Sequence, residues 1–232
     1  MRWPEPLIPG RLLRRYKRFL ADVALEGGSV ITVHCPNPGR MLGLDVPGAA
    51  VWLSRSPRVL RKLPLTLELI EADGGLVGIN TMQPNRLVAE ALQAGLIDEL
   101  AGYEEIRREV AYDVGCRVDF RLRGGVRADC YVEVKNVHLR RTAGAEFPDT
   151  VTLRGARHLR ALGRQVGAGA RAVVVYVVQR MDCSDFRLAA DLAPDYAQAA
   201  GEAAAAGVES LCLACRVTVE EIRLVRTLPI VR

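Results

Sequence analysis

The chain has 232 residues, half of them hydrophobic and a quarter charged, which suits a packed core and excludes global disorder. No apolar run approaches the ~20 residues of a bilayer span, so no membrane partner is expected. Residues 1–5 lack the apolar stretch of a signal peptide, which predicts a cytoplasmic setting. The formal net charge is +5, most of it in residues 1–80, a modest excess that suits a polyanion partner.

Residues 1–80 read as β-strands separated by turns. Apolar or alternating runs at 19–25, 30–34, 50–53, 65–72 and 76–79 lie between Gly- and Pro-rich breaks such as Pro36-Asn37-Pro38-Gly39 and Asp73-Gly74-Gly75. Five strands in that length predict a small OB-type β-barrel, an architecture that often binds nucleic acid. Within this region Arg14, Arg15, Lys17 and Arg18 cluster around Tyr16 and Phe19. Such a run is either a solvated charged face or a set of phosphate contacts with an aromatic ring for base stacking.

From residue 81 the pattern becomes α/β. Asn85 can cap a helix that Gly95 stops. Strands follow at 108–112, 117–122 and 129–137. Phe147-Pro148-Asp149 opens a helix that Gly163 ends. The β-branched run 172–178 reads as a strand buried on both faces of a parallel sheet. A helix at 194–206, read as packing, precedes a strand at 208–217. The predicted organisation is residues 1–80 as the barrel and 81–232 as an α/β domain with a mixed sheet.

The residues with chemistry lie on two neighbouring strands. In 117–122, Val118, Phe120 and Leu122 share one face and Asp119 lies on the other. In 130–136, Glu133 and Lys135 share a face. Gly124-Gly125 permits a hairpin that brings Asp119 beside Glu133. Two close carboxylates repel, and a shared divalent cation relieves them. The sequence has only three lysines, Lys17, Lys62 and Lys135, and uses Arg elsewhere. A compact ammonium of tunable pKa suits orienting a water or offsetting phosphorane charge better than a guanidinium. The implied reaction is phosphodiester hydrolysis assisted by Mg²⁺ or Mn²⁺. The competing reading of Glu133-x-Lys135 is a salt-bridged surface strand.

Several longer strings carry a resemblance. They are Arg14-Arg15-Tyr16-Lys17-Arg18-Phe19-Leu20-Ala21-Asp22, His34-Cys35-Pro36-Asn37-Pro38-Gly39-Arg40-Met41, Gly78-Ile79-Asn80-Thr81, Val132-Glu133-Val134-Lys135-Asn136-Val137, and 147–155 with His158-Leu159. In order and over essentially the whole chain, they resemble the sugar fermentation stimulation protein A (SfsA) family. Pro38 and Cys116 depart from the Thr and Ser expected of that family.

The resemblance implies an OB-type barrel joined to a PD-(D/E)xK nuclease-like α/β domain with a central mixed sheet. It implies a DNA-binding protein linked to sugar use, maltose in particular. It places Asp119, Glu133 and Lys135 on the D…E-x-K core, with Asp119 and Glu133 as metal ligands and Glu90, on the preceding helix, as a further site residue. Arg40 joins Arg14, Arg15, Lys17 and Arg18 as a nucleic-acid contact. Arg154 and His158, four apart on one helix face with Arg157 beside them, either flank the scissile phosphate or are ordinary surface and capping residues.

The expected function is nucleic-acid binding, DNA ahead of RNA, with metal-dependent cleavage. The alternative is a non-catalytic DNA-binding regulator on a retired nuclease fold. A sugar enzyme finds little support, because no Trp-rich groove is present. Cys212-x-x-Cys215 lies on a predicted strand, where positions three apart face opposite sides, which argues against a metal or redox pair. His34-Cys35 before a turn reads as structural more readily than as a metal pair, and Tyr103 as a core or interface aromatic.

Overall fold

The computed structural model describes residues 1–56 and 61–231. Strands β1 (Ile8–Tyr16), β2 (Leu20–Leu25), β3 (Val30–His34), β4 (Ala50–Arg55) and β5 (Leu65–Ala72) form one sheet with β6 (Gly75–Gly78) in the order β3-β2-β1-β4-β5-β6. A parallel bridge between His34 and Thr66 joins β3 to β5 and closes the first five strands into an OB-type barrel. Its interior is aliphatic, with Val23, Val33, Leu53 and Leu67 fully buried.

Strand β1 is the element the sequence concealed. Pro9, Gly10 and three arginines flanking Leu12-Leu13 mask its alternation, and Leu12 is its one fully buried side chain. Gly10 allows close approach to β2, since a Cβ there would sit 2.5 Å from Val23 Cγ1. The barrel's five strands are therefore β1–β5, and the run expected at 76–79 is a hairpin return, β6, outside the closed ring.

The second part is built on a mixed sheet of order β15-β14-β12-β9-β8-β7. Its strands are β7 (Glu105–Asp113), β8 (Cys116–Arg123), β9 (Cys130–Val137), β12 (Arg171–Val178), β14 (Glu209–Val217) and β15 (Ile222–Thr227). As its β-branched run predicts, β12 is central, parallel to both β9 and β14, and buried from Ala172 to Val178. Helix α1 (Gln83–Gln93) covers one face; α2 (Leu153–Gly167) and α3 (Pro194–Ala205) cover the other. A small sheet of β10 (Leu139–Arg140), β11 (Ala145–Phe147) and β13 (Phe186–Leu188) lies alongside.

Two helix boundaries differ from expectation. Pro84 starts α1 earlier than an Asn85 cap would allow. Phe147 belongs to β11, and α2 begins after Thr152, whose hydroxyl accepts from Gly155 N at 3.1 Å. Gly163 does not stop α2. It lies inside the helix, where a Cβ would rest in ordinary contact 3.5 Å from Ala206 Cβ, so neither its backbone nor its size ends the helix there.

A polar chain ties the barrel to β9. Gln179 Nε2 donates to Asn80 O at 3.1 Å and to Asn136 Oδ1 at 2.6 Å. Asn136 Nδ2 donates to His138 Nδ1 at 2.9 Å, and His138 Nε2 donates to Asp149 Oδ2 at 3.2 Å. Asp149 Oδ2 also accepts the Met41 N–H at 2.8 Å, which fastens the barrel's 36–41 loop to the second part. Asn136 adjoins Lys135, so this chain fixes the end of β9 that carries the candidate site.

Candidate active site

Strands β8 and β9 pair antiparallel through Leu122↔Cys130, Arg121↔Tyr131 and Phe120↔Val132. The next pair along that register is Asp119 with Glu133, the neighbours the sequence predicts. The regular ladder stops there because the Asp119 side chain enters it. Asp119 Oδ2 accepts the Val134 N–H at 2.7 Å, and Oδ1 accepts from Asn85 Nδ2 at 2.6 Å. Asn85 thus anchors Asp119 from α1 rather than capping the helix.

Glu133 is 5% exposed and faces α2. Its Oε1 receives both Lys135 Nζ at 2.7 Å and His158 Nδ1 at 2.9 Å. Arg154 Nε, at 3.5 Å, faces the other ring nitrogen of His158. Glu133 Oε2 is buried and has no partner among the described residues. A buried carboxylate oxygen left bare is costly and invites a ligand.

The electrostatics separate the two carboxyls. Burial first, and then the Glu133 charge, push Asp119 up to about 6, against the hydrogen bonds from Val134 and Asn85. Burial alone would raise Glu133 too, but Lys135 and His158 together outweigh it and hold Glu133 below the usual glutamate range. An added cation would favour ionised Asp119 and supply the missing partner of Glu133 Oε2, so the donor set fits a divalent ion. Among the described residues, no group of three or more His, Cys, Asp or Glu is arranged to hold a metal ion by itself. Two carboxylates with a shell completed by water and substrate oxygens suit Mg²⁺ better than zinc.

Other expected site residues are placed differently. Glu90 is half exposed and pairs with the Met1 ammonium at 2.9 Å. It lies five residues beyond Asn85, about 140° around the helix, so α1 brings Asn85 and not Glu90 to Asp119. His158 is 3% exposed and bound to Glu133, so it holds that carboxylate instead of meeting a phosphate. Arg154 and Arg157 are exposed on α2, and Arg157 has no side-chain partner among the described residues.

The basic cluster divides in two. Arg14 Nε donates to Asp22 at 2.7 Å and its guanidinium lies 4.8 Å from the Tyr16 ring centroid. Arg15 donates to the carbonyls of Arg18, Asn37, Gly39 and Arg40 and so shapes the loop. Lys17, Arg18 and Arg40 are exposed, and their side chains have no partner among the described residues. Lys17 and Arg18 turn the chain with φ of 49° and 63°.

Cys212 and Cys215 are buried in opposite cores of the sheet, as the strand reading predicts, and burial raises both thiols to about 12. Two residues that matter were not singled out: His138 and Gln179, whose side chains link the domains. Their only sequence signal was position, since each follows a strand that meets the barrel.

Residues 13–79 match the family model described as the SfsA N-terminal OB domain, and residues 82–221 match the sugar fermentation stimulation protein RE domain. The chain belongs to the sugar fermentation stimulation protein (SfsA) family. A family homolog from Rhodospirillum centenum is 59% identical over 98% of this chain and 98% of its own length. One from Azorhizobium caulinodans is 53% identical over 99% of each. The solved structure of Pyrococcus furiosus SfsA in complex with Ca²⁺ covers 100% of this chain and 98% of its own, with a TM-score of 0.91 at 26% identity. The SfsA architecture therefore accounts for the whole chain. No helix among the described residues is long and apolar enough to cross a membrane.

Proposed function

We propose that this SfsA family member binds nucleic acid, DNA ahead of RNA, and hydrolyses a phosphodiester bond using Mg²⁺ or Mn²⁺. The observation that carries this reading is the buried, unpartnered Glu133 Oε2 beside an Asp119 whose ionisation burial and Glu133 oppose. The Ca²⁺ of the archaeal relative supports a divalent cation here as well. Asp119 and Glu133 would hold it. When bound, such an ion supplies Lewis acidity and a more acidic water.

The chain's own groups do the rest. His158 and Lys135 fix Glu133 through one oxygen, and Asn85 and the Val134 N–H fix Asp119. Lys135 offers an ammonium that can orient a water and offset charge developing on a phosphate. Lys17, Arg18 and Arg40 supply free cations on the barrel for the polymer backbone.

A retired fold that only binds DNA would leave Glu133 Oε2 bare and two buried carboxyls opposed with no return, which favours a working cation site over a retired one. Six unpaired, buried cysteines suit a reducing cytoplasmic setting. The test is incubation of labelled single- and double-stranded DNA and RNA with Mg²⁺, with Mn²⁺ and with EDTA. Cleavage confined to the metal lanes supports the reading; intact substrates in every lane contradict it.

A further inference from the structure

A cleft of about 640 Å³ lies between the barrel and α1, outside the Asp119–Glu133–Lys135 group. Arg2, Arg55, Arg61, Arg86 and Arg108 reach its wall. Only two carboxylates oppose them, and both are engaged. Glu68 accepts from Ser54, Asn80 and Gln83, and Glu90 pairs with the Met1 ammonium. Arg55 and Arg86 are exposed with no side-chain partner among the described residues. The Arg108 guanidinium lies 5.6 Å from the Phe120 ring centroid and has no ion-pair partner among the described residues. A concave wall with this excess of cations concentrates field on an anion.

A second feature of the wall points to more than a simple anion. Gln83 is 2% exposed, yet its Oε1 has no partner, and the buried Trp3 Nε1 has none either, among the described residues. Both residues line the cleft. One bare acceptor and one bare donor, together with unpaired guanidiniums, match a ligand that carries a polar ring edge and a phosphate. The volume falls within the ~300–1,000 Å³ range of small-ligand sites.

We infer that this cleft binds a nucleoside monophosphate, its phosphate on Arg86 and Arg108 and its base edge at Gln83 and Trp3. The unit comes either from the free nucleotide pool or from the phosphorylated end of a strand. The inference stands apart from cleavage. The cleft shares α1 with the acidic site, Asn85 meeting Asp119 and Arg86 turning to the cleft, but it uses none of the acidic groups.

The test is calorimetry of deoxyadenosine 5′-monophosphate in EDTA, which keeps cations from recruiting phosphate to Asp119 and Glu133. The wild type should bind it, and deoxyadenosine and inorganic phosphate should each bind more weakly. Arg86→Ala/Arg108→Ala, two exposed positions that leave the fold intact, should weaken binding by about tenfold or more. Asp119→Asn should bind as the wild type does, which separates this site from the acidic one. Trp3 fluorescence should change on binding, and that change should vanish in Trp3→Phe. Displacement of the nucleotide by a 5′-phosphorylated oligonucleotide assigns the cleft to a strand end, and retention assigns it to the free nucleotide. No binding by the wild type, or equal affinity in the double variant, overturns the inference.

Discussion

His158 Nδ1 lies 2.9 Å from Glu133 Oε1, the same oxygen that meets Lys135, so one side of this buried carboxylate is fully engaged while Oε2 is bare. Under the proposed function the ring is a positioning group. His158→Leu should remove a buried partner, cost about 1–3 kcal/mol of stability in urea unfolding, and abolish cleavage while DNA binding persists. His158→Asn, whose amide N–H can replace Nδ1–H, should restore part of the cleavage. Wild-type cleavage by the leucine variant would remove His158 from the site.

Lys135→Arg keeps the charge but not the small ammonium. Cleavage should fall by about tenfold or more while Mn²⁺ affinity is retained, because the guanidinium is larger and stays protonated. A lysine that serves only as a salt-bridge partner of Glu133 would tolerate Arg, and single-turnover cleavage rates distinguish the two.

On the barrel, Lys17, Arg18 and Arg40 are exposed cations grouped at the β1–β2 turn and the 36–41 loop, with no side-chain partner among the described residues. Replacing all three with Ala should reduce the log–log salt dependence of DNA affinity by roughly 0.7–0.9 per lost phosphate contact. Arg15→Ala should act differently. It removes the donor to four loop carbonyls and should lower the unfolding midpoint more than it changes the salt slope. An unchanged slope in the triple variant would place the phosphate contacts elsewhere.

The strength of each sequence signal explains what could be read before the structure. Asp119 and Glu133 were legible as neighbours because the Gly-Gly turn sets the β8–β9 register, but simple alternation did not hold along β8: Val118 packs in the core under α2 while Phe120 and Leu122 pack under α1, so the face changes at Asp119. The buried strand β12 was legible from its β-branched run. Strand β1 was not, because a strand with one buried side chain and an arginine-rich outer face has no hydrophobic period. The roles of Asn85 and His158 were also hidden: each residue type is common at helix caps and surfaces, and only the packing of α1 and α2 on the sheet turns them inward. Glu90 illustrates the reverse error. Its position on the preceding helix suggested the site, but its place on the helical wheel directs it to Met1.

Asp149 gives a pH-dependent prediction. Burial alone would raise its carboxyl, but His138 and the Met41 N–H outweigh burial and hold it below the usual aspartate range. A depressed carboxyl adds stability that is complete above its unfolded value of about 3.9 and is lost as pH falls through the folded value. Wild type should therefore exceed Asp149→Asn in urea midpoint at pH 7, and the gap should narrow below about pH 4. A gap that stays constant from pH 7 to pH 3 would show that the Asp149 charge does not hold the barrel loop to the second domain.

The most direct measurement is calorimetric titration of Mn²⁺ into wild type, Asp119→Ala and Glu133→Ala. Two carboxylates sharing a cation predict a saturable heat in the wild type that both variants lose, with nucleic-acid binding preserved because the barrel cations are untouched. Thermal unfolding should follow the same pattern, with Mn²⁺ raising the wild-type midpoint in proportion to the logarithm of its concentration over its Kd and leaving the variants unmoved. Equal heats in the wild type and Asp119→Ala would contradict the shared-cation site.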